Sequence, residues 1–226
     1  MATVHPQEAP ARSMVTSQVN TVVMTPPERP RPDAVHHAML SFARCLGARD
    51  RQEVYVSTPI TTGAAYVTWR NNVGNHLDRS HPKYRDQHRE HVIDKNIARI
   101  RPVISGLRRH FHGQLVVDPT SLPDVDDWEQ HDYHAFWCAL IEQYIRTAVF
   151  TDGWQFSTGC VREFATAIKA GVWILQEDLA PLTIPTGLQL VRDAIRKFEE
   201  LGVDAETLRS ALASAEQAAQ NPGKHL

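Results

Sequence analysis

The sequence predicts an α/β protein: a parallel sheet of four or five strands covered on both faces by helices, with extra helices at the C-terminal end. Three observations lead there. Short apolar runs alternate with amphipathic helical patterns along the 226 residues. The runs are apolar throughout, as strands covered on both faces are. The chain closes on two successive helical patterns. A hydrophobic content of 42% over this length suits one core with appendages.

Residues 1–34 are rich in proline and end in "TPPERPRPDA", where each Pro removes a donor and biases its predecessor away from helix. They read as an N-terminal arm, followed by an α/β domain over 35–184 and a C-terminal helical extension over 185–226. "DAVHHAMLSFARCLGARD" predicts a helix with Asp33 as N-cap and Gly47 as its stop. "EVYVSTPI" is the first strand, ended by Pro59. The long polar stretch "TTGAAYVTWRNNVGNHLDRSHPKY" reads as a functional loop.

From about His88 the spacing of Val92, Ile97, Ile100, Val103, Ile104 and Leu107 predicts a helix with one buried face, interrupted at Pro102. "GQLVVDP" is a second strand, and an aromatic helix follows over about 132–145. "RTAVFTDGW" is strand three, "GCVREFATAIKAG" a helix closed by Gly171, and "VWILQED" strand four. A short last strand is expected at "LTI", before the helices "GLQLVRDAIRKFEELG" and "DAETLRSALASAEQAAQ".

With 24 basic and 26 acidic residues, the net charge of -2 gives no global reason for a nucleic-acid or membrane partner. Between Arg79 and His112, however, nine Lys/Arg stand against three Asp/Glu, which is either a solvated helix face or an anion neighbourhood. The three cysteines are too few and scattered for a disulfide framework or a four-ligand zinc site. His88, Glu90 and His91 form no zinc signature, so neither metal nor cofactor is expected. With no run of 18 apolar residues and no signal-peptide pattern, a soluble, cytoplasmic protein is expected.

In an open parallel sheet the ligand crevice lies at the carboxyl ends of the strands. Three loops end there: "STPITTG", "DPTSLPD" and "TDGWQFSTG". Just beyond the third stands Glu163. A capping box would place Glu three residues after a Ser or Thr N-cap, but Ser157 and Thr158 precede Glu163 by six and five. It also lies off the stripe Val161, Phe164, Ala165, Ile168, on the side of Gly159 and Ala167. A ligand-facing carboxylate and an ordinary solvated Glu both satisfy this spacing. Trp69, Trp128 and Trp154 are placed to stack on a base or to cover a core edge. Asp118 and Asp152 either bind sugar hydroxyls or make turns. Cys160 at a helix start has no identifiable base partner.

Three blocks, "VYVSTPITTG", "VVDPTSLPD" followed by an aromatic segment with "DY", and "DGWQFSTGCVREFATAIKAGVWIL", resemble the nucleoside 2-deoxyribosyltransferase-like group and its nucleotide N-glycosidase relatives. The resemblance spans about residues 53–176 and implies a Rossmann-like (flavodoxin-like) three-layer fold. The family's nucleophile is the Glu of a Ser-or-Asp, any, Gly, three residues, Glu pattern, which here is Glu163. Tyr55 matches a Tyr beside the reacting sugar, Ser157 a contact to phosphate or sugar hydroxyl, and Gly159 the glycine that lets backbone approach. Thr58, Pro59 and Ile60 stand where the family has Gly-Pro-Ile. With Ser57, Asp118, Asp152 and Trp154, which their places at or just past the strand ends suggest, they make up the candidate substrate-binding set. A helix Asp expected 24 to 26 residues before the nucleophile is missing, since that window holds Trp137, Cys138 and Ala139. Asp132, Glu142, His131 and His134 are the available substitutes, with Asp132 taken as the catalytic candidate.

The implied reaction cleaves or transfers the N-glycosidic bond of a nucleoside or nucleotide through a covalent glycosyl-Glu intermediate. The resemblance also implies a homodimer or higher homo-oligomer. The alternative is a catalytically silent nucleotide-binding or regulatory protein of the same fold, which the missing Asp would explain.

Overall fold

The computed structural model describes residues 32–74, 77–78, 80–122, 125 and 128–223. Most of the expected N-terminal arm lies outside the described residues. Four strands, β1 (Glu53–Ser57), β2 (Val116–Val117), β3 (Ile145–Phe150) and β4 (Trp173–Gln176), form one sheet in the order β2-β1-β3-β4. Every pairing is parallel, with Tyr55 level with Val117 on one side and Ala148 on the other. This is the α/β, Rossmann-like three-layer arrangement the alternation of elements predicts.

The helices are α1 (Pro32–Cys45), α2 (Gly63–Asn72), α3 (Tyr84–His88), α4 (Asp94–His110), α5 (Gln130–Tyr144), α6 (Thr158–Ala170), α7 (Ile184–Glu200) and α8 (Glu206–Gln220), with a π-helical turn at Arg89–Ile93. Side chains alternate across a strand, so β1 separates two apolar clusters. Val54 and Val56 pack with Val149 and with Ile100, Ile104 and Leu107 of α4. Tyr55 belongs to the opposite layer, among residues of α1, α5, α6 and α8. From central β1 the chain goes to β2 on one side and then to β3 on the other. That reversal opens a crevice at the carboxyl ends of β1 and β3, the switch point of such sheets.

Several elements differ from the sequence prediction. The stretch read as a loop after β1 contains α2, whose Tyr66 and Trp69 sit one turn apart and are both buried. The predicted strand at "LTI" is absent: Thr183 caps α7, Ile184 opens it, and only an isolated antiparallel bridge pairs Leu175 with Pro181. α1 begins at Pro32, so Asp33 lies within its span and not before it. On α4 the buried stripe takes Asn96, with Ile97 half-buried beside it. The C-terminal helix packs back on its own chain, burying Leu208, Ala211, Leu212 and Ala215 in the core shared with α6.

Candidate functional site

The three loops do converge. They frame a cleft of about 240 Å³ lined by Thr58, Ile60 and Thr61 after β1, Pro119 and Leu122 after β2, and Ser157, Gly159, Cys160 and Glu163 at the start of α6. Gln130, Tyr133, His134 and Trp137 of α5 close the remaining wall. The size is that of one small ligand, just below the usual range for such pockets.

Two periodicities build its floor. Tyr55 and Ser57 are two apart on β1 and therefore project to the same face of the sheet, the face against which α6 lies. Glu163 sits in the second turn of α6, whose N-cap is Ser157, its Oγ accepting from the Cys160 N–H at 3.4 Å. The Tyr55 hydroxyl donates to Glu163 Oε1 at 3.0 Å, and the Ser57 hydroxyl donates to Oε2 at 2.6 Å. Glu163 is only 6% exposed. The sequence places it off the main apolar stripe, and it is buried nonetheless, because α6 packs on the sheet, α5 and α8 together and buries Cys160, Glu163 and Ala167 as well as the predicted stripe.

Burial without a counterion is costly for a carboxylate. The chain shows how it handles a structural one. Glu53, at the other end of β1 and 1% exposed, accepts from the Arg49 Nε at 3.1 Å and from the backbone N–H groups of Arg49 and Leu115. Glu163 has two neutral hydroxyls and, among the described residues, no salt bridge. Burial accordingly pushes its carboxyl up from 4.5 to about 7, with the Ser57 and Tyr55 hydrogen bonds pulling the other way. It is therefore poised between its charged and neutral forms near neutrality. The Tyr55 phenol is driven well above its ordinary value by burial and by Glu163, so it stays a proton-bearing donor. Cys160 is pushed up to about 12 by burial and then by Glu163. It is a thiol, not a nucleophilic thiolate.

The remaining residues fall into three groups. Thr58, Ile60, Ser157 and Gly159 line the cleft with Glu163. Pro59 is not in the lining; it packs against Gly63 at the start of α2. Four others are absent from the cleft lining. Trp154, 4% exposed, packs on Phe150 and Phe164 in the core and presents no face for a base. The Asp118 carboxylate accepts from the Thr120 and Ser121 side chains and the Thr120 N–H, making a turn. Asp152 is exposed, its backbone N–H donating to Glu177. Asp132 completes a capping box with Glu129 at the start of α5 and is absent from the cleft lining. No Lys or Arg of the cationic α3 and α4 lines the cleft, and Arg99 of that segment pairs with Glu177 at 2.8 Å.

Sequence reasoning named His134 as a substitute for the missing Asp but missed the α5 wall to which it belongs. Gln130, Tyr133, His134 and Trp137 lie at offsets of zero, three, four and seven, one helical face, but aromatic residues surround that helix and hide the stripe. Gly159 explains the close approach: a Cβ there would stand 2.6 Å from the His134 ring. Burial, then Arg162 and His131, lowers the His134 pKa, so the ring is neutral near pH 7.

Fold and site together define a doubly covered parallel α/β protein with a buried carboxylate that, among the described residues, has no cationic partner, in the crevice at the carboxyl ends of its central strands. No protein-family model, curated protein or solved structure matches the chain. Among the described residues, no helix is long and apolar enough to cross a membrane.

Proposed function

We propose that the protein cleaves or transfers the N-glycosidic bond of a nucleoside or nucleotide, with Glu163 as nucleophile. One observation carries this reading. A carboxylate 6% exposed, held by two hydroxyls and, among the described residues, by no cation, lines a small cleft at the carboxyl end of the sheet. A structural Glu would be salt-bridged, as Glu53 is; a nucleophile must be desolvated and oriented yet remain able to ionise.

In the proposed reaction a Glu163 oxygen attacks the anomeric carbon, the C–N bond breaks, and its electron pair leaves on the base nitrogen. Water then attacks the same carbon: its oxygen stays on the sugar, its protons go to the base and to the sugar hydroxyl, and the Glu163 carboxylate is regenerated. A second base in place of water gives transfer. Tyr55 and Ser57 hold both oxygens, so the attacking one is oriented before substrate arrives.

A silent nucleotide-binding protein is the second reading, favoured by the lack, among the described residues, of another carboxylate in the lining. The test is base release from a panel of ribo- and deoxyribonucleosides and their monophosphates. The enzyme reading expects release that Glu163→Gln lowers by about three orders of magnitude or more. Binding by both proteins with release by neither would establish the silent reading.

A further inference from the structure

The floor of the cleft accounts for attack on the sugar, but a departing nucleobase also needs a partner for the charge it acquires. The segment where the resemblance places an Asp offers none: Trp137 turns into the cleft beside Tyr55, with ring centroids 5.8 Å apart, and Cys138 lines a different hollow with Arg162 and Lys169. One and two turns earlier on the same face stand His134 and Gln130. We propose that Gln130 and His134 form the subsite for the departing base, hydrogen-bonding its ring edge and taking up the charge on the leaving nitrogen. This inference rests on the glycosidase reading above.

The chemistry of the pair suits that role. The Gln130 amide nitrogen lies 3.3 Å from His134 Nε2. With the amide donating, Nε2 is the acceptor and Nδ1 carries the proton. With that bond made, the amide still offers its carbonyl oxygen and second N–H, and the imidazole its Nδ1–H, to the donors and acceptors on a nucleobase edge. Tyr133 and Trp137, in the same stripe, supply aromatic surface for a flat ring, and Ile60 and Leu122 add apolar surface to the same lining. The His134 ring packs against Gly159 in the first turn of α6, four residues before the nucleophile, so the two functions share one wall. Among the described residues, the lining contains no Lys or Arg. Recognition there is by hydrogen bonds and stacking on an uncharged heterocycle.

In this scheme the base leaves as an anion held by N–H donors, and the water that resolves the ester supplies its proton. The help required therefore depends on the leaving group. Hypoxanthine and thymine depart as anions; 7-methylguanine departs neutral and needs no such partner. The experiment compares base release from deoxynucleosides of these three bases by wild type, His134→Asn, Gln130→Leu and Glu163→Gln, with calorimetric titration of free hypoxanthine and thymine alongside. Gln130 is exposed, which makes its substitution compatible with the fold. The α5 variants are expected to lose about 10²-fold on the first two substrates and less than about fivefold on the 7-methylguanine nucleoside. They are also expected to bind free base about tenfold more weakly. Equal losses on all three substrates, or unchanged release and base affinity, would overturn the subsite.

Glu163→Gln separates the two ideas. If it abolishes release while the α5 variants change nothing, the subsite fails alone. If it leaves release intact while the α5 variants lose selectively, the nucleophile fails and the subsite stands. Should wild type release no base at all, the titrations decide: affinity lost in the α5 variants supports the subsite, and no binding by wild type overturns it.

Discussion

Glu163→Gln should make the protein more stable, and increasingly so as pH rises. The folded carboxyl titrates near 7, against an ordinary value of 4.5, because burial opposes its charged form. Between those values the unfolded chain has released its proton while the folded chain retains it. Wild-type stability therefore falls as pH rises through this window and levels off above it. A rise from 4.5 to about 7 corresponds to about 3 kcal/mol. Glutamine keeps the shape and an acceptor for the hydroxyl donors but does not titrate. The variant should match wild type near pH 4.5 and exceed it by about 3 kcal/mol at pH 8, or roughly 6–12 °C in melting temperature for a chain of this size. Urea denaturation of both proteins from pH 4.5 to 8.5 measures it. A stability difference constant with pH, or one favouring wild type at pH 8, would show that Glu163 is not a buried, uncompensated carboxylate.

The other predictions concern the same frame. Ser57→Ala removes a hydrogen bond that favours ionised Glu163, so the acidic limb of the pH–activity profile, near 7 in wild type, should move to higher pH in the variant. Gly159→Ala puts a methyl 2.6 Å from the His134 ring, which must swing away; base binding should drop while unfolding free energy changes by at most about 1 kcal/mol. Asn96→Ala strips the 2.9 Å and 2.7 Å hydrogen bonds to the Ile60 and Thr62 carbonyls. It should cost about 2 kcal/mol in denaturant titrations and speed amide exchange over 58–63. Gly187→Ala drives a methyl into the Phe164 ring across the contact between α7 and α6, at a cost of about 1–3 kcal/mol with the cleft unchanged.

The fold was legible where chemistry is local. "VYV" and "AVF" are unbroken apolar runs, Gly171 ends α6 in the left-handed conformation at φ 64°, and the spacing of Ile100, Ile104 and Leu107 marks the buried side of α4. Glu163 stood out because it fits neither a capping box nor the apolar stripe. The residues around it were harder to assign, because side-chain direction at strand ends and in turns depends on tertiary neighbours. Trp154 looked available for a base but fills the core beside Phe150, and Asp118 and Asp132 spend their oxygens on turn and cap. Ser57, read as a substrate contact, donates to the nucleophile candidate. The α2 helix hid in a polar stretch because two buried rings, Tyr66 and Trp69, carry its whole inner face.

The most direct measurement is mass spectrometry of the protein after incubation with 2-fluoro-substituted arabinosyl nucleosides, whose fluorine slows breakdown of a glycosyl ester. The predicted result is one added sugar per chain, mapped to the peptide bearing Glu163 and missing from Glu163→Gln. A sugar adduct on another residue, or base released at wild-type rates by Glu163→Gln, would contradict the account.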